Sequence, residues 1–258
     1  MITSVSNGQV KNVMHLNQKS KARKEQGLFV AEGIKMFNEA PKSWVVKVYV
    51  SESLAKDERL MEKVCQFPHE IASDPVFRQM SDTKTPQGIL TVLKKPSYKI
   101  EDILNQKNPL VMVLEDLQDP GNAGTVIRTG EGAGVNGVFL TRTSVDITNP
   151  KVIRGTMGSI YRIPFLYVED VVSLKQIFKE RQIRSFAAHL NGRTFYDEED
   201  YTGGTAFFIG NEGNGLTQSA SDAADCLIRI PMSGKVESLN AAMAAGILMY
   251  EAARQRRK

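Results

Sequence analysis

The chain is expected to be an α/β protein, with a helix-covered parallel sheet in its C-terminal part and a smaller α/β domain in front. Three observations carry this. From Leu110 onward, short β-branched or aromatic runs alternate with helical patterns, and such alternation builds parallel sheets. Lys94-Lys95-Pro96-Ser97-Tyr98-Lys99 interrupts both periodicities and reads as a linker. The 258 residues, 41% hydrophobic and 24% charged, suffice for two packed cores. The domains are accordingly set at 1–95 and 110–258, with 96–109 between them.

In the first domain, Gly27 to Gly33 is a short apolar segment bounded by glycines, and a helix is expected from Ile34 to Glu39. Trp44 to Val50 is rich in β-branched residues and reads as a strand. Leu54 to Val64 places apolar residues at 54, 60, 61 and 64 among charges, a helical pattern. Gly88 to Leu93 is a further strand. In the second domain, strands are expected at Leu110–Leu114, Gly137–Thr141, Ser185–His189, Thr205–Ile209 and Leu227–Ile230. Helices are expected at 122–132, 150–158, 171–181 and 238–256. Gly132-Ala-Gly-Val-Asn-Gly137 satisfies G-x-G-x-x-G, but a helix precedes it and a strand follows. A dinucleotide site needs the reverse order, so these glycines are read as ending a helix and turning the chain.

No run approaches the roughly 18 apolar residues of a membrane span, and the N-terminus lacks the apolar stretch of a secretory signal. Cys65 and Cys226 lie far apart, which excludes a disulfide scaffold and argues against a zinc site. A cytoplasmic protein without a metal or a membrane partner is expected. The net charge of +4 is unevenly placed. Residues 1–98 hold 15 Lys+Arg against 10 Asp+Glu, net +5, and the remainder holds 18 against 19, net −1. Lys11, Lys19, Lys21, Arg23 and Lys24 fall among the first 24 residues with no acid between them, and Arg254 to Lys258 adds four basic side chains. Such ends suit a phosphate backbone, whose counterions each contact releases; a solvated tail that aids solubility is the plainer reading.

Three segments carry candidate chemistry. In Leu114-Glu-Asp-Leu-Gln-Asp-Pro-Gly-Asn-Ala-Gly-Thr-Val-Ile-Arg128 a strand ends in a turn and Asn122 opens a helix, where it also suits an ordinary cap. Arg128 lies nearly two turns further on and taken alone is a surface residue. In Phe207-Phe-Ile-Gly-Asn-Glu-Gly-Asn-Gly-Leu216 a strand runs into a loop with three glycines and one carboxylate, Glu212. Glycines there let backbone groups approach a ligand. In Ile228-Arg-Ile-Pro-Met-Ser-Gly-Lys-Val-Glu-Ser-Leu-Asn-Ala, Ser238 is placed as the N-cap of the last helix and Asn240 in its first turn.

Together these segments resemble the three motifs of the SpoU-type (TrmH-like) RNA 2′-O-methyltransferases of the SPOUT class. They match N-x-G-x-x-x-R, G-N-E-G and I-P-M…S-L-N-A over roughly residues 110 to 256. Phe29-Val-Ala-Glu-Gly33 is similar to the L30-like RNA-recognition domain that many members carry in front. The resemblance implies a sheet whose C-terminal part threads a deep trefoil knot. It implies S-adenosylmethionine (SAM) held by Gly210, Ile230 and Leu239, with Asn211 and Met232 beside them. It also implies a homodimer whose active site forms where subunits meet. Arg128 would act on the ribose hydroxyl, Asn122 would orient Arg128 or the ribose, Glu212 would position the basic side chain or substrate, and Ser238 and Asn240 would shape the pockets. Bringing a guanidinium from above 12 to about 7 would cost roughly 7 kcal/mol, so Arg128 is read as gripping phosphate and ribose rather than as a base. The histidines offer no base: His15 and His69 lie outside the motifs, and His189 ends a strand away from them.

Ribosomal RNA, 23S in particular, is preferred as substrate because a front domain of ribosomal-protein type suits a large structured RNA. The alternatives are a tRNA methyltransferase, a non-catalytic RNA-binding assembly protein, and a Rossmann-like SAM enzyme. The last would want a glycine-rich loop after the first strand, which Leu114-Glu-Asp-Leu-Gln-Asp119 lacks.

Overall fold

A computed structural model describes residues 1–257. In chain order its main elements are α1 (Gly8–Gln18), α2 (Ser20–Gln26), β1 (Leu28–Glu32), α3 (Ile34–Glu39), β2 (Val45–Ser51), α4 (Glu58–Val64), β3 (His69–Ala72), α5 (Asp74–Met80) and β4 (Ile89–Lys94). There follow α6 (Ile100–Leu104), β5 (Leu110–Leu114), α7 (Pro120–Ala133), β6 (Gly137–Thr141), α8 (Pro150–Thr156), β7 (Phe165–Val168), α9 (Ser173–Glu180) and β8 (Ile183–Ala188). The chain ends with β9 (Thr194–Phe195), β10 (Gly204–Ile209), α10 (Gln218–Ala223), β11 (Cys226–Arg229) and α11 (Ala241–Arg256). Among the described residues no helix is long and apolar enough to cross a membrane.

The chain forms two compact units. Met1–Ser97 and Asp146–Tyr161 make the first; Tyr98–Val145 and everything from Arg162 onward make the second. The expected second domain ran unbroken from 110. In the structure the excursion 146–161, with α8, packs with the first unit instead. It does so because Ile147, Val152, Ile153 and Ile160 are apolar side chains that are buried there.

The first unit holds a four-stranded sheet in the order β1-β4-β2-β3, antiparallel except for β2 with β3. Alternation along β2 sends Tyr49 into a cluster with Val10, Val13, Leu16 and Phe77, and sends Val48 and Val50 into another with Leu60 and Val64. The helix expected over 54–64 is broken: a 3-10 turn spans Leu54–Lys56, and α4 restarts behind Asp57, whose carboxylate accepts from Leu60 N.

The second unit holds a seven-stranded sheet, β7-β6-β5-β10-β8-β11-β9, parallel at every pairing. Parallel strands are buried on both faces, which explains the adjacent aromatics of β10. Phe208 packs with Phe178 on one face, and Phe207 with Phe186 and Tyr201 on the other. On the flank, α11 packs against α7, where Gly130 leaves room for Met249. Gly134, left-handed at φ 80°, ends α7 and Gly137 begins β6, so the G-x-G-x-x-G string is a helix stop.

Candidate active site

In the sheet β8 lies between β10 and β11, all three parallel, so their C-terminal ends stand side by side. Ligands of parallel sheets bind at such ends. There the loops after the three strands enclose a cleft of about 890 Å³. Its walls come from residues 188–191, 209–216, 228–232 and 237–239, with Ala241 and Ala244 of α11.

The loop after β10 is closed on itself. Asn211 and Gly215 exchange backbone hydrogen bonds at 3.0 and 2.9 Å, and the Asn211 carboxamide oxygen accepts from Gly213 N and Asn214 N. A Cβ on Gly210 would stand 2.1 Å from Gly215 C and 2.2 Å from Leu216 N, closer than backbone can give way. Only glycine fits. The Asn211 side-chain NH2 also donates to Asp116 O at 2.9 Å. Asp116 itself is left-handed (φ 52°), a conformation Asp tolerates better than most residues, and lies in the turn after β5.

That turn supplies the second part of the site. Asp119 caps α7 by accepting from Asn122 N at 2.7 Å, and Pro120 takes the first helical position. Asn122 is therefore not the cap. Its side chain reaches out instead, donating from Nδ2 to Glu212 Oε1 at 2.9 Å. Glu212 also accepts from Asp119 N (2.9 Å) and Gln118 N (3.1 Å). Burial works to raise the Glu212 pKa, but the Asn122 amide and the two backbone N–H groups outweigh it and hold the carboxyl below its ordinary value. On its other side, Asn122 Oδ1 accepts from Asn240 Nδ2 at 2.9 Å, and Asn240 Oδ1 caps α11 by accepting from Ala242 N and Met243 N. One chain of hydrogen bonds thus joins all three sequence segments and fixes both carboxamide orientations.

Gly210, Asn211, Ile230, Met232 and Leu239 all line the cleft, as do Glu212 and Ser238. Asn122 and Asn240 join it through Glu212. Ser238 is not the helix cap expected of it: α11 starts at Ala241 behind Asn240, and Ser238 lies exposed in the irregular run before it. Arg128 is exposed on α7 and does not line the cleft. His189, read as lying away from the motifs, lines the cleft together with Leu190 and Asn191. The strand order is the reason, since it wedges β8 between the two strands that carry motifs. The His189 Nδ1 accepts from Asn191 N at 3.1 Å.

The basic candidates divide. Lys11, Lys19, Lys21 and Lys24 are exposed. Arg23, expected on an RNA-facing surface, is 3% exposed. Its Nε and Nη2 pair with Asp146 at 2.9 and 2.8 Å, and Nη1 donates to Leu16 O at 2.7 Å. It is a core ion pair of the first unit and leaves the RNA-binding set. At the C-terminus Arg254 pairs with Glu251, and Arg256 donates to Tyr201 O and Asn108 O, so neither guanidinium is a bare tail charge. Lys258 lies outside the described residues.

The chain has recognisable relatives. The chain matches the SpoU rRNA Methylase family over residues 109–250 and the MRM3-like substrate binding domain over residues 7–91. It is 32% identical to an uncharacterised tRNA/rRNA methyltransferase of Synechocystis sp., covering 98% of this chain and 93% of that one. It is also 32% identical to the 23S rRNA (guanosine(2553)-2′-O)-methyltransferase RlmP of Bacillus subtilis, over 96% of this chain and 97% of that one. Among solved structures, the AdoMet-bound rRNA methyltransferase of Sinorhizobium meliloti superposes with a TM-score of 0.86 at 28% identity, over 100% of this chain and 98% of that one. The chain that joins Asn122, Glu212 and Asn240 beside this cleft belongs to the SpoU rRNA methylase family.

Proposed function

We propose that this protein transfers a methyl group from SAM to a ribose 2′-hydroxyl of ribosomal RNA, with 23S rRNA the preferred target. The observation that carries the reading is the junction of the three motif segments at one cleft, through the Asn122–Glu212–Asn240 chain. The residues present fit SAM. The cleft falls in the size range of small-molecule sites, and Gly210 leaves backbone rather than side chain at its wall. Gly210, Asn211, Ile230, Met232 and Leu239 would hold the donor, which when bound supplies a methyl group activated on a sulfonium.

The remaining chemistry belongs to the protein. A ribose hydroxyl is a poor nucleophile until its proton moves. Arg128 is a permanent cation; it grips the target's phosphate and ribose and stabilises the developing alkoxide. Asn122 and Glu212 position the substrate, and Ser238 and Asn240 shape the pocket beside it. His189 Nδ1 already accepts a hydrogen bond from Asn191 N–H within the loop after β8.

The first unit binds RNA, with Lys11, Lys19, Lys21 and Lys24 as phosphate contacts. The protein works as a homodimer free of membranes, in the cytoplasm. Two features support the dimer: Arg128 is exposed and does not line its own chain's cleft, and Met243 and Tyr250, seven residues apart on one face of α11, are 60% and 53% exposed. A trefoil knot in the C-terminal part belongs to the same reading, supported by the likeness to solved SpoU-type methyltransferases. The test is SAM binding by calorimetry with methyl transfer to ribosomal RNA, followed by mapping of 2′-O-methyl sites in cells with and without the protein. A protein that binds no SAM overturns the reading; a mapped site in tRNA redirects it.

A further inference from the structure

Glu115 follows β5 and is only 9% exposed, yet it does not line the cleft. It grasps the glycine loop at both ends. Its backbone N–H donates to Ile209 O at 2.9 Å, where the chain leaves β10. Its carboxylate accepts from Thr217 N and from Thr217 Oγ1, each at 2.8 Å, where the chain enters α10. Thr217 cannot move without losing more, because its hydroxyl also accepts from Ala220 N as the cap of α10. Between these ends lie Gly210, Asn211 and Glu212, and the span is so tight that a single methyl on Gly210 would collide with Gly215.

We propose that Glu115 is a positioning residue for the donor cleft: acting through Thr217, it sets the width of the 210–216 loop and hence the affinity for SAM. A buried carboxylate that takes two charge-assisted hydrogen bonds at one residue is a short, directional tether. A loop released at its exit end gains freedom that ligand binding must then remove, which weakens binding more than it slows the bound complex. The proposal rests on the SAM reading above.

The experiment compares wild type with Glu115→Ala, Thr217→Val, Thr217→Ser and the double variant, measuring the SAM Kd, KM for SAM, kcat at saturation and Tm. Ser185→Ala is the control, because Ser185 of β8 bonds Asp225, just before β11, and neither residue lines the cleft, so it should lower Tm alone. Glu115→Ala and Thr217→Val are each expected to raise the SAM Kd about tenfold, with kcat held within about threefold. Thr217→Ser, which keeps both donors, is expected to stay near wild type, and the double variant to be no worse than the poorer single one. Should Glu115→Ala fail to fold, Thr217→Val against Thr217→Ser decides. Unchanged SAM affinity in folded variants, or a loss that merely tracks Tm as in Ser185→Ala, overturns the proposal. Wild type that binds no SAM overturns the functional reading first, and this inference with it.

Discussion

The carboxamide of Asn122 lies between Glu212, to which it donates at 2.9 Å, and Asn240, from which it accepts at 2.9 Å. Ninety residues of sequence separate the first pair, and 118 the second. An amide held on both sides presents one face and cannot flip, which is what a group that orients a substrate requires. Glu212→Ala leaves the Asn122 amide and two backbone N–H groups without their partner. Transfer is expected to fall at least about a hundredfold, the scale of losing one oriented donor at a reacting centre. The pH dependence has a definite sign. Because the carboxyl is held below its ordinary value, the network is intact above the unfolded Glu pKa of about 4.3 and is lost only as pH falls through the lower folded value. Single-turnover rates in wild type should therefore show no acid limb assignable to Glu212 above about pH 4. Such a limb, absent in Glu212→Gln, would contradict the arrangement.

Arg128 makes a separate prediction. It is exposed and outside the cleft lining, so removing it leaves the SAM walls intact. Arg128→Ala is expected to bind SAM within about twofold of wild type while methyl transfer falls by about 10² to 10³. Lysine should recover only part of this, since it cannot engage phosphate and ribose with a planar fork. Near-normal transfer by Arg128→Ala would remove it from the mechanism.

If Arg128 serves the cleft of a second copy, two inactive chains can rescue each other. Mixed dimers of Arg128→Ala with Gly210→Val contain one site built from the intact cleft of the first chain and the intact arginine of the second. Co-expressed, differently tagged chains purified as heterodimers should regain transfer that neither homodimer has. Heterodimers as inactive as both parents would place the arginine in its own chain's site.

Much of this was readable in the sequence, and the failures have physical reasons. Strands β5, β6 and β10 declared themselves because parallel strands buried on both faces become unbroken apolar runs. The helix α1 did not, since its buried stripe of Val10, Val13 and Leu16 stands among polar residues and one lysine, Lys11, that continues the basic run of the N-terminus. The short β7 and two-residue β9 offered no period to count. Ser238 and Asn240 are both good caps two residues apart; what favours Asn240 is the Asn122 amide, a tertiary partner that no local rule supplies. His189 escapes the sequence for a similar reason: only the order β10-β8-β11 shows that a strand without a motif ends between two strands that have one. Arg23 reads as a surface charge because its acid, Asp146, lies 123 residues away in an excursion that rejoins the first unit.

That last pair has a measurable consequence for stability. Arg23 and Asp146 have side chains 4% and 11% exposed, and Ser20 and Thr148 also donate to the carboxylate. Burial pushes the Asp146 pKa up, but the Thr148 hydrogen bonds and the Arg23 charge pull it below the ordinary value on balance. Asp146→Asn strands a buried guanidinium and is expected to destabilise the protein by about 3–5 kcal/mol at pH 7, whereas Ser20→Ala should lose only about 1 kcal/mol. The sign follows from the depressed carboxyl: its contribution is complete above the unfolded Asp pKa of about 3.9 and disappears as pH falls through the folded value. Urea unfolding from pH 7 down to about pH 2 should thus show wild type and Asp146→Asn converging only below about pH 4. Because Asp146 begins the excursion 146–161, the variant should also speed hydrogen exchange in α8 ahead of the parallel sheet. Uniform exchange across both units, or equal midpoints at pH 7, would mean that hydrophobic burial alone holds the excursion in place.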